Sequence, residues 1–170
     1  MYAPIVITGM HHSFVAIETQ LLADIATTGG SFIFPVAAMS NVAQGAAALS
    51  VLLILRKDNK MKGIASASGI SALLGITEPA IFGVNLKLRY PFFGAMIGSA
   101  VGSAYVMLTK VLAISPGAAG LPGIISIRPT SIVNYIIAMI LSMVVAVVST
   151  IVIAKFMNKK QVVNDEQIAA

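Results

Sequence analysis

Three long runs without a charged residue set the limits on how this chain can fold. Residues 31–55, 91–109 and 129–154 contain no Asp, Glu, Lys or Arg, and a helix needs about 20 apolar residues to cross a bilayer. The 170 residues are 58% hydrophobic and only 10% charged, which is too little polar surface for a soluble domain of this length. The sequence therefore predicts an all-α integral membrane protein.

The charged and metal-binding residues exclude several classes of function. The net charge is +5, but the eleven Lys and Arg residues cluster at the ends of apolar runs. A nucleic-acid-binding surface would instead interleave basic and aromatic residues, so we expect no nucleic acid partner. The chain has no cysteine and two histidines, which argues against a disulfide or a zinc site. We expect neither a metal nor a cofactor.

The basic loops predict the topology. By the positive-inside rule, the loop RKDNKMK at residues 56–62 is cytoplasmic. If the following segment, 63–86, crossed the membrane, the basic turn at 87–89 would lie outside. If it enters and returns as a re-entrant hairpin, that turn and the C-terminal tail stay cytoplasmic, and only Lys110 and Arg128 lie outside. The charge pattern therefore predicts a hairpin.

The middle of this hairpin is expected to be broken. Gly75, Pro79 and Gly83 disfavour a continuous helix, and the proline is also expected to push Glu78 away from helical angles. A second Gly/Pro-rich segment, 115–128, is expected to dip into the membrane as well. Non-helical backbone at membrane depth is tolerated only where it is buried in protein or lines a wet cavity. The pattern thus predicts re-entrant segments around a polar site.

Glu78 is the main candidate for a functional residue. A carboxylate in an apolar segment is expensive, and such residues usually serve function, although packing against a basic residue for structure is the alternative. At a broken helix, free backbone amides and one carboxylate can bind a polar substrate. Thr77 and Asn85 add a hydroxyl and an amide nearby, and this mixture of donors and acceptors suits a sugar.

Other polar residues allow two interpretations. His11 and His12 point about 100° apart if they are helical, so one or both could be structural rather than part of a site. Asn41 and Gln44 lie three residues apart on one helical face, which favours hydrogen bonds between helices. Glu18 is expected on a wetted face, with lining of the site as the alternative. A stripe of small residues is expected to allow close helix packing: Gly94, Gly98 and Gly102.

Long motifs in this sequence resemble a known family. They are TGMHHSF at 8–14, AIETQLLADIATTGGSFIFPVAAMSNVAQGAAAL at 16–49 and GITEPAIFGVNLKLRYPF at 75–92. Together they resemble the membrane (C) domain of enzyme II of the phosphoenolpyruvate-dependent sugar phosphotransferase system, glucose superfamily. The similarity is greatest to sucrose-type members and extends from residue 1 to about 155.

The resemblance implies a function and the residues that perform it. Such a membrane domain takes up a sugar across the bacterial cytoplasmic (inner) membrane. A phosphocysteine on a B domain, itself phosphorylated by an upstream A domain, then phosphorylates the sugar on the cytoplasmic side. The family's essential glutamate corresponds to Glu78, near the hydroxyl that receives phosphate. Its histidine corresponds to His11 or His12, and His11 is favoured because some sucrose-type relatives read His-Gln here.

The resemblance also implies that the chain is part of something larger. The family's membrane domain is longer, with N-terminal helices that form most of a homodimer contact, and these 170 residues lack a B-domain cysteine. We therefore expect residues 1–157 to be the C-terminal, substrate-binding portion, followed by a polar cytoplasmic tail or linker at 158–170.

Other functions remain as alternatives. Trehalose and β-glucoside permeases share the same motifs, so the disaccharide is less certain than the family. From a different class, the chain could be a truncated membrane scaffold or passive channel without a sugar site. A soluble kinase-like enzyme is disfavoured, because the sequence has no phosphate-binding loop.

Overall fold

In the computed structural model, helices account for all the longer elements of the described residues. The backbone is described for residues 2–55 and 58–168, and side chains for 4–10, 13–55 and 58–157. The α-helices are α1 (Tyr2–Ile7), α2 (His11–Ala23), α3 (Ile25–Thr28), α4 (Ile33–Ile54), α5 (Asn59–Leu73), α6 (Glu78–Ala80), α7 (Leu86–Leu88), α8 (Tyr90–Leu108) and α9 (Ile132–Ile168). A π-helical turn, Ile81–Asn85, joins α6 to α7, and two 3₁₀ turns, Leu121–Ser126 and Pro129–Ser131, precede α9.

Three of these helices are long and apolar enough to cross a membrane. They are α4, α8 and the part of α9 up to Met157, and they correspond to the three charge-free runs. The prediction of an all-α membrane protein is therefore confirmed. α4 is the central helix, since 78% of its apolar window is buried compared with 39% for α8 and 28% for the α9 span. α9 continues as a helix to Ile168, so it includes most of the predicted tail.

The glycine stripe of α8 packs directly against α9, as predicted. A β-carbon on Gly98 would lie 2.6 Å from the Ala146 β-carbon and 2.6 Å from the Ser142 carbonyl oxygen. Such distances are too short for any side chain at this position. Each glycine of the stripe faces a small residue of α9: Gly94 faces Thr150, Gly98 faces Ala146, and Gly102 faces Ser142. Glycine is thus needed for the two helices to approach so closely.

Ser142 also connects α9 to both other spans. Its hydroxyl lies 3.1 Å from the Met39 carbonyl oxygen on α4 and 3.0 Å from the Gly98 carbonyl oxygen on α8. The side chain is fully buried, where each satisfied polar group helps to fix a single packing arrangement. The three spans therefore meet at one shared hydrogen-bonding position.

The predicted hairpin is present, and its break lies between α5 and α6. Gly75 has a φ of 106°, which favours glycine, and a β-carbon there would lie 3.0 Å from the Ala119 carbonyl oxygen. Two details of the prediction are wrong. Glu78 keeps helical geometry as the first residue of α6, with Pro79 in the first turn, where a missing N–H costs nothing. Gly83 lies inside the π-helical turn and does not interrupt the helical path.

Both ends of the hairpin lie at the same end of the bundle. The start of α5 and the end of α7 share an apolar cluster with the last turn of α4 and with α9, including Met61, Leu88, Ile54 and Ala154. At the opposite end, short backbone pairings join residues 31, 113 and 127. Residues 63–86 therefore enter the bundle and return to the same end. Lys110 and Arg128 lie near the opposite end of the bundle.

Candidate functional site

A small cavity lies at the tip of the hairpin, beside the N-terminal half of α4. It encloses about 180 Å³ and is lined by Val6, Ala37, Asn41, Gly75, Thr77, Glu78 and Ala119. The lining thus comes from α1, from α4, from the hairpin break and from the connection between α8 and α9. The predicted dip of residues 115–128 is confirmed, because Ala119 reaches the same depth as the hairpin tip.

Asn41 fixes both non-helical segments to α4. Its Nδ2 atom donates a hydrogen bond of 2.6 Å to the Ala119 carbonyl and lies 3.5 Å from the Gly75 carbonyl oxygen. The side chain is buried, and a buried carbonyl left without a donor costs about 1–3 kcal/mol. One amide therefore satisfies backbone groups of two broken segments and sets the shape of the cavity.

The carboxylate of Glu78 lines this cavity beside Thr77. Glu78 is exposed in the chain, whereas Thr77 is only 5% exposed. Glu78 is the first residue of the short α6 turn, directly before Pro79. Within the part of the chain that the structure describes, no ion pair to this carboxylate is found. The arrangement offers a charged acceptor, a hydroxyl and the Asn41 amide to a polar ligand.

Asn85, the third residue of the predicted hairpin site, lies elsewhere. Its side chain is fully buried, and Nδ2 donates to the Gln44 side-chain oxygen at 2.5 Å and to the Gln44 backbone oxygen at 3.1 Å. The structure thus does not bring Asn85 to the cavity lining. The bond joins the π-helical turn to α4, and it confirms the predicted role of Gln44 in bonding between helices.

The two histidines and Glu18 are not among the described residues that line the cavity. His11 and His12 open α2, but their side chains lie outside the described residues. Glu18 is half-buried and hydrogen-bonded to Ser31; burial raises the pKa of its carboxyl, and this bond opposes the rise. Since Ser31 pairs with Ala113 at the end of the bundle, Glu18 lies away from the cavity lining, and it is not on a fully wetted face.

Sequence reasoning did not assign Asn41, Val6, Ala37 or Ala119 to the site. Asn41 was predicted to bond between segments, which it does, but its place in the cavity was missed. The available signal was a polar amide in the middle of an apolar span. The three apolar residues gave no such signal, because nothing distinguishes them from ordinary core positions.

A larger groove elsewhere is chemically unsuited to a sugar. It encloses about 480 Å³ between α4 and α9, and its lining is apolar apart from Ser50. The Ser50 hydroxyl already donates to the Ala47 carbonyl at 2.6 Å. Sugar hydroxyls need several donors and acceptors, so the smaller cavity at the hairpin tip is the candidate binding site.

Comparisons with known proteins agree on one family. Residues 1–99 match the family described as "Phosphotransferase system, EIIC". The chain is 66% identical over 83% of its length to the sucrose-specific EIIBC component of Staphylococcus xylosus, and covers 30% of that protein. It is 65% identical over 90% of its length to the sucrose-specific EIIBC component of Vibrio alginolyticus, and covers 32% of it.

A trehalose-specific relative is more distant. The chain is 47% identical over 93% of its length to the trehalose-specific EIIBC component of Bacillus subtilis (strain 168), and covers 33% of that protein. The chain thus spans about a third of the length of these curated relatives. No solved structure matches it significantly.

Proposed function

Because the chain belongs to the EIIC family of the phosphotransferase system, we propose that it is the substrate-binding part of a disaccharide permease. In this proposal the sugar is bound from outside, moved across the membrane and phosphorylated on the cytoplasmic side. The observation that carries the proposal is the Glu78 carboxylate, which lines a polar cavity with Thr77 and Asn41 at a broken helix. A carboxylate at such a break suits a ligand rich in hydroxyl groups.

Sucrose is the preferred substrate in this proposal. The relatives described as sucrose-specific range from 44% to 66% identity, and four of them, at 52–66%, exceed the 47% of the trehalose-specific relative of Bacillus subtilis. The sucrose-specific and trehalose-specific relatives all match most of this chain. A trehalose or β-glucoside permease is therefore the second candidate. In the cavity, Glu78 and Thr77 are proposed to bind the sugar, with His11 or His12 as a further contact by family resemblance. Asn85 is retained only as an indirect, positioning residue.

The described cavity is proposed to be one part of the complete site. Its volume of about 180 Å³ lies below the roughly 300 Å³ at which typical ligand pockets begin. The relatives are about three times as long as the match. Helices contributed by the remainder of the membrane domain would enlarge the site and supply a homodimer contact. Residues 1–157 are then the substrate-binding portion, and 158–170 are a polar cytoplasmic tail or linker.

Phosphoryl transfer is assigned to partners of this segment. The 170 residues contain no cysteine, so the phosphocysteine must be supplied from outside them. Relatives are described as EIIBC and EIIBCA components, which supports a B domain as the donor and an A domain before it. Glu78 is proposed to orient the accepting hydroxyl, since positioning provides much of the catalysis in phosphoryl transfer.

Saturable sugar binding tests the proposed function. The native polypeptide that carries these residues should bind radiolabelled sucrose saturably in membrane vesicles, and unlabelled sucrose should displace it at lower concentrations than trehalose or cellobiose. Displacement by trehalose at the lowest concentration would instead assign the runner-up substrate. Vesicles with the protein correctly inserted but without saturable binding of any of the three sugars would support the membrane scaffold.

The topology gives a second prediction. The ends of the hairpin are proposed to face the cytoplasm of a bacterial inner membrane, and the Arg128 end to face outward. Because these 170 residues contain no cysteine, an introduced cysteine is the only thiol within them. Asn59→Cys, at the start of α5, should resist an impermeant thiol reagent in intact cells and react after lysis. Thr130→Cys, exposed at the opposite end, should react in intact cells. The reverse pattern would contradict the assignment.

A further inference from the structure

A second groove lies on the surface of the described bundle, and it shares no lining residue with the candidate sugar site. It encloses about 270 Å³ and is lined by Phe32, Val106, Met107, Lys110, Val111 and Leu112. Val106 and Val111 form a buried floor, whereas Phe32 and Met107 are about half exposed at the rim. Every described lining residue except Lys110 is apolar, so the groove combines a hydrocarbon-like surface with a single positive charge.

The backbone at Lys110 is held in a conformation that favours glycine. Val111 N–H donates to the Val106 carbonyl at 3.1 Å and Lys110 N–H to the Met107 carbonyl at 3.2 Å, which is the Schellman ending of α8. The residue in the left-handed position of this motif is usually Gly, because a β-carbon is penalised there. Lys110 occupies it with a φ of 50°. A lysine kept in this strained backbone position at the mouth of a groove is a reason to ask what its side chain does there.

The position of the groove fixes the environment of that ammonium group. α8 is a membrane-spanning helix that ends at Leu108, so Lys110 lies at the level where hydrocarbon gives way to headgroups. Phe32 comes from the start of α4, at the same end of the bundle. A molecule that fills this groove therefore presents an apolar chain to the valines and an anionic group to Lys110.

From this combination we propose that the groove binds an anionic phospholipid. One acyl chain packs against the apolar lining, and the headgroup phosphate pairs with the Lys110 ammonium, which binds phosphate as a point charge. Arg128 lies on the neighbouring segment, where its guanidinium donates to the Gly29 carbonyl, and it is not among the residues that line the groove, so Lys110 is the cation within the described lining. The proposal is independent of the sugar specificity and of which leaflet the groove faces.

Quenching of a single tryptophan by brominated lipid tests the proposal. These 170 residues contain no Trp, so Phe32→Trp is the only tryptophan reporter within them, and it lies on the groove rim. In vesicles that mix a brominated lipid with an unbrominated one, dibrominated phosphatidylglycerol should compete for the groove about fivefold better than dibrominated phosphatidylcholine. Adding Lys110→Gln should abolish that preference, and Lys110→Arg should keep it.

A matched reporter separates specific from general lipid contact. Val148→Trp lies in the apolar groove of α4 and α9, whose described lining has no cation, and both brominated lipids should quench it equally. Helicity by circular dichroism checks that each variant is folded. Three results would overturn the proposal: equal quenching of the Phe32→Trp reporter by both lipids, no quenching of it by either, or a preference that survives Lys110→Gln.

Discussion

Replacing Glu78 with Gln should lower sugar affinity by about tenfold to a hundredfold while leaving the fold intact. The substitution keeps the size of the side chain but removes its charge and turns one acceptor into a donor. A hydrogen bond to a charged group contributes about 1.5–3 kcal/mol, which corresponds to that range of affinity. The carboxylate lines the cavity and is exposed in this chain, so little stability depends on it. Sugar binding and sugar phosphorylation should be measured in the native polypeptide.

A second acidic residue serves as the control. It separates the loss of a contact in the site from the general effect of removing a negative charge. Glu18→Gln makes the same change at a half-buried carboxylate that bonds Ser31 and should alter affinity much less. His11→Gln is expected to weaken binding with the fold intact, and His12→Gln to do so less. If Glu78→Gln reduces expression and thermal stability while binding per folded molecule is unchanged, the carboxylate is structural and its assignment to the sugar is wrong.

Replacing Gly98 with Val should strongly destabilise the folded protein. The new β-carbon would come within 2.6 Å of the Ala146 β-carbon and 2.7 Å of the Ala146 backbone nitrogen, and a backbone atom cannot move aside as a flexible side chain can. Overpacking of this kind costs about 1–3 kcal/mol or more. We expect the cost of Gly98→Val to lie at the upper end of this range, because α8 and α9 must move apart to accommodate the valine side chain. Thermal unfolding in detergent and the folded fraction by size exclusion measure the loss.

The control for this variant is a glycine with open space around it. Among the described residues, apart from its chain neighbours and its own helix backbone, no atom lies within 4 Å of where the Gly63 β-carbon would be, so Gly63→Val makes the same chemical change without a clash. It should keep a folded fraction close to that of the unmodified chain. Equal stability of the two variants would show that α8 and α9 do not depend on close contact at Gly98.

The coarse fold could be predicted because the bilayer imposes it. Length and the absence of charge identified α4, α8 and α9, and the basic loops required residues 63–86 to return. The finer geometry depended on contacts between distant segments. Gly75 breaks the hairpin because the Ala119 carbonyl lies against it, whereas Pro79 is accommodated at the start of α6. A local propensity cannot distinguish these two outcomes.

The sequence predicted the charged residue of the candidate site, but it did not predict which other residues line the cavity. An acid in an apolar segment stands out in any sequence, so Glu78 was identified together with its neighbour Thr77. Asn85 has similar chemistry and lies only seven residues away, but one pairing with Gln44 removes it from the cavity lining. Conversely, Asn41 enters the lining because Ala119, 78 residues further along the chain, folds back to it.

The hydrogen bonds of Asn41 have a mechanical consequence. Since one side chain holds the carbonyls of both Gly75 and Ala119, the two re-entrant tips cannot separate from each other or from α4 without exposing unpaired carbonyls. A movement that carries α4 and both tips together breaks neither bond. Asn41 therefore couples the two re-entrant tips to α4, and we expect a rearrangement of the bundle to carry all three as one unit.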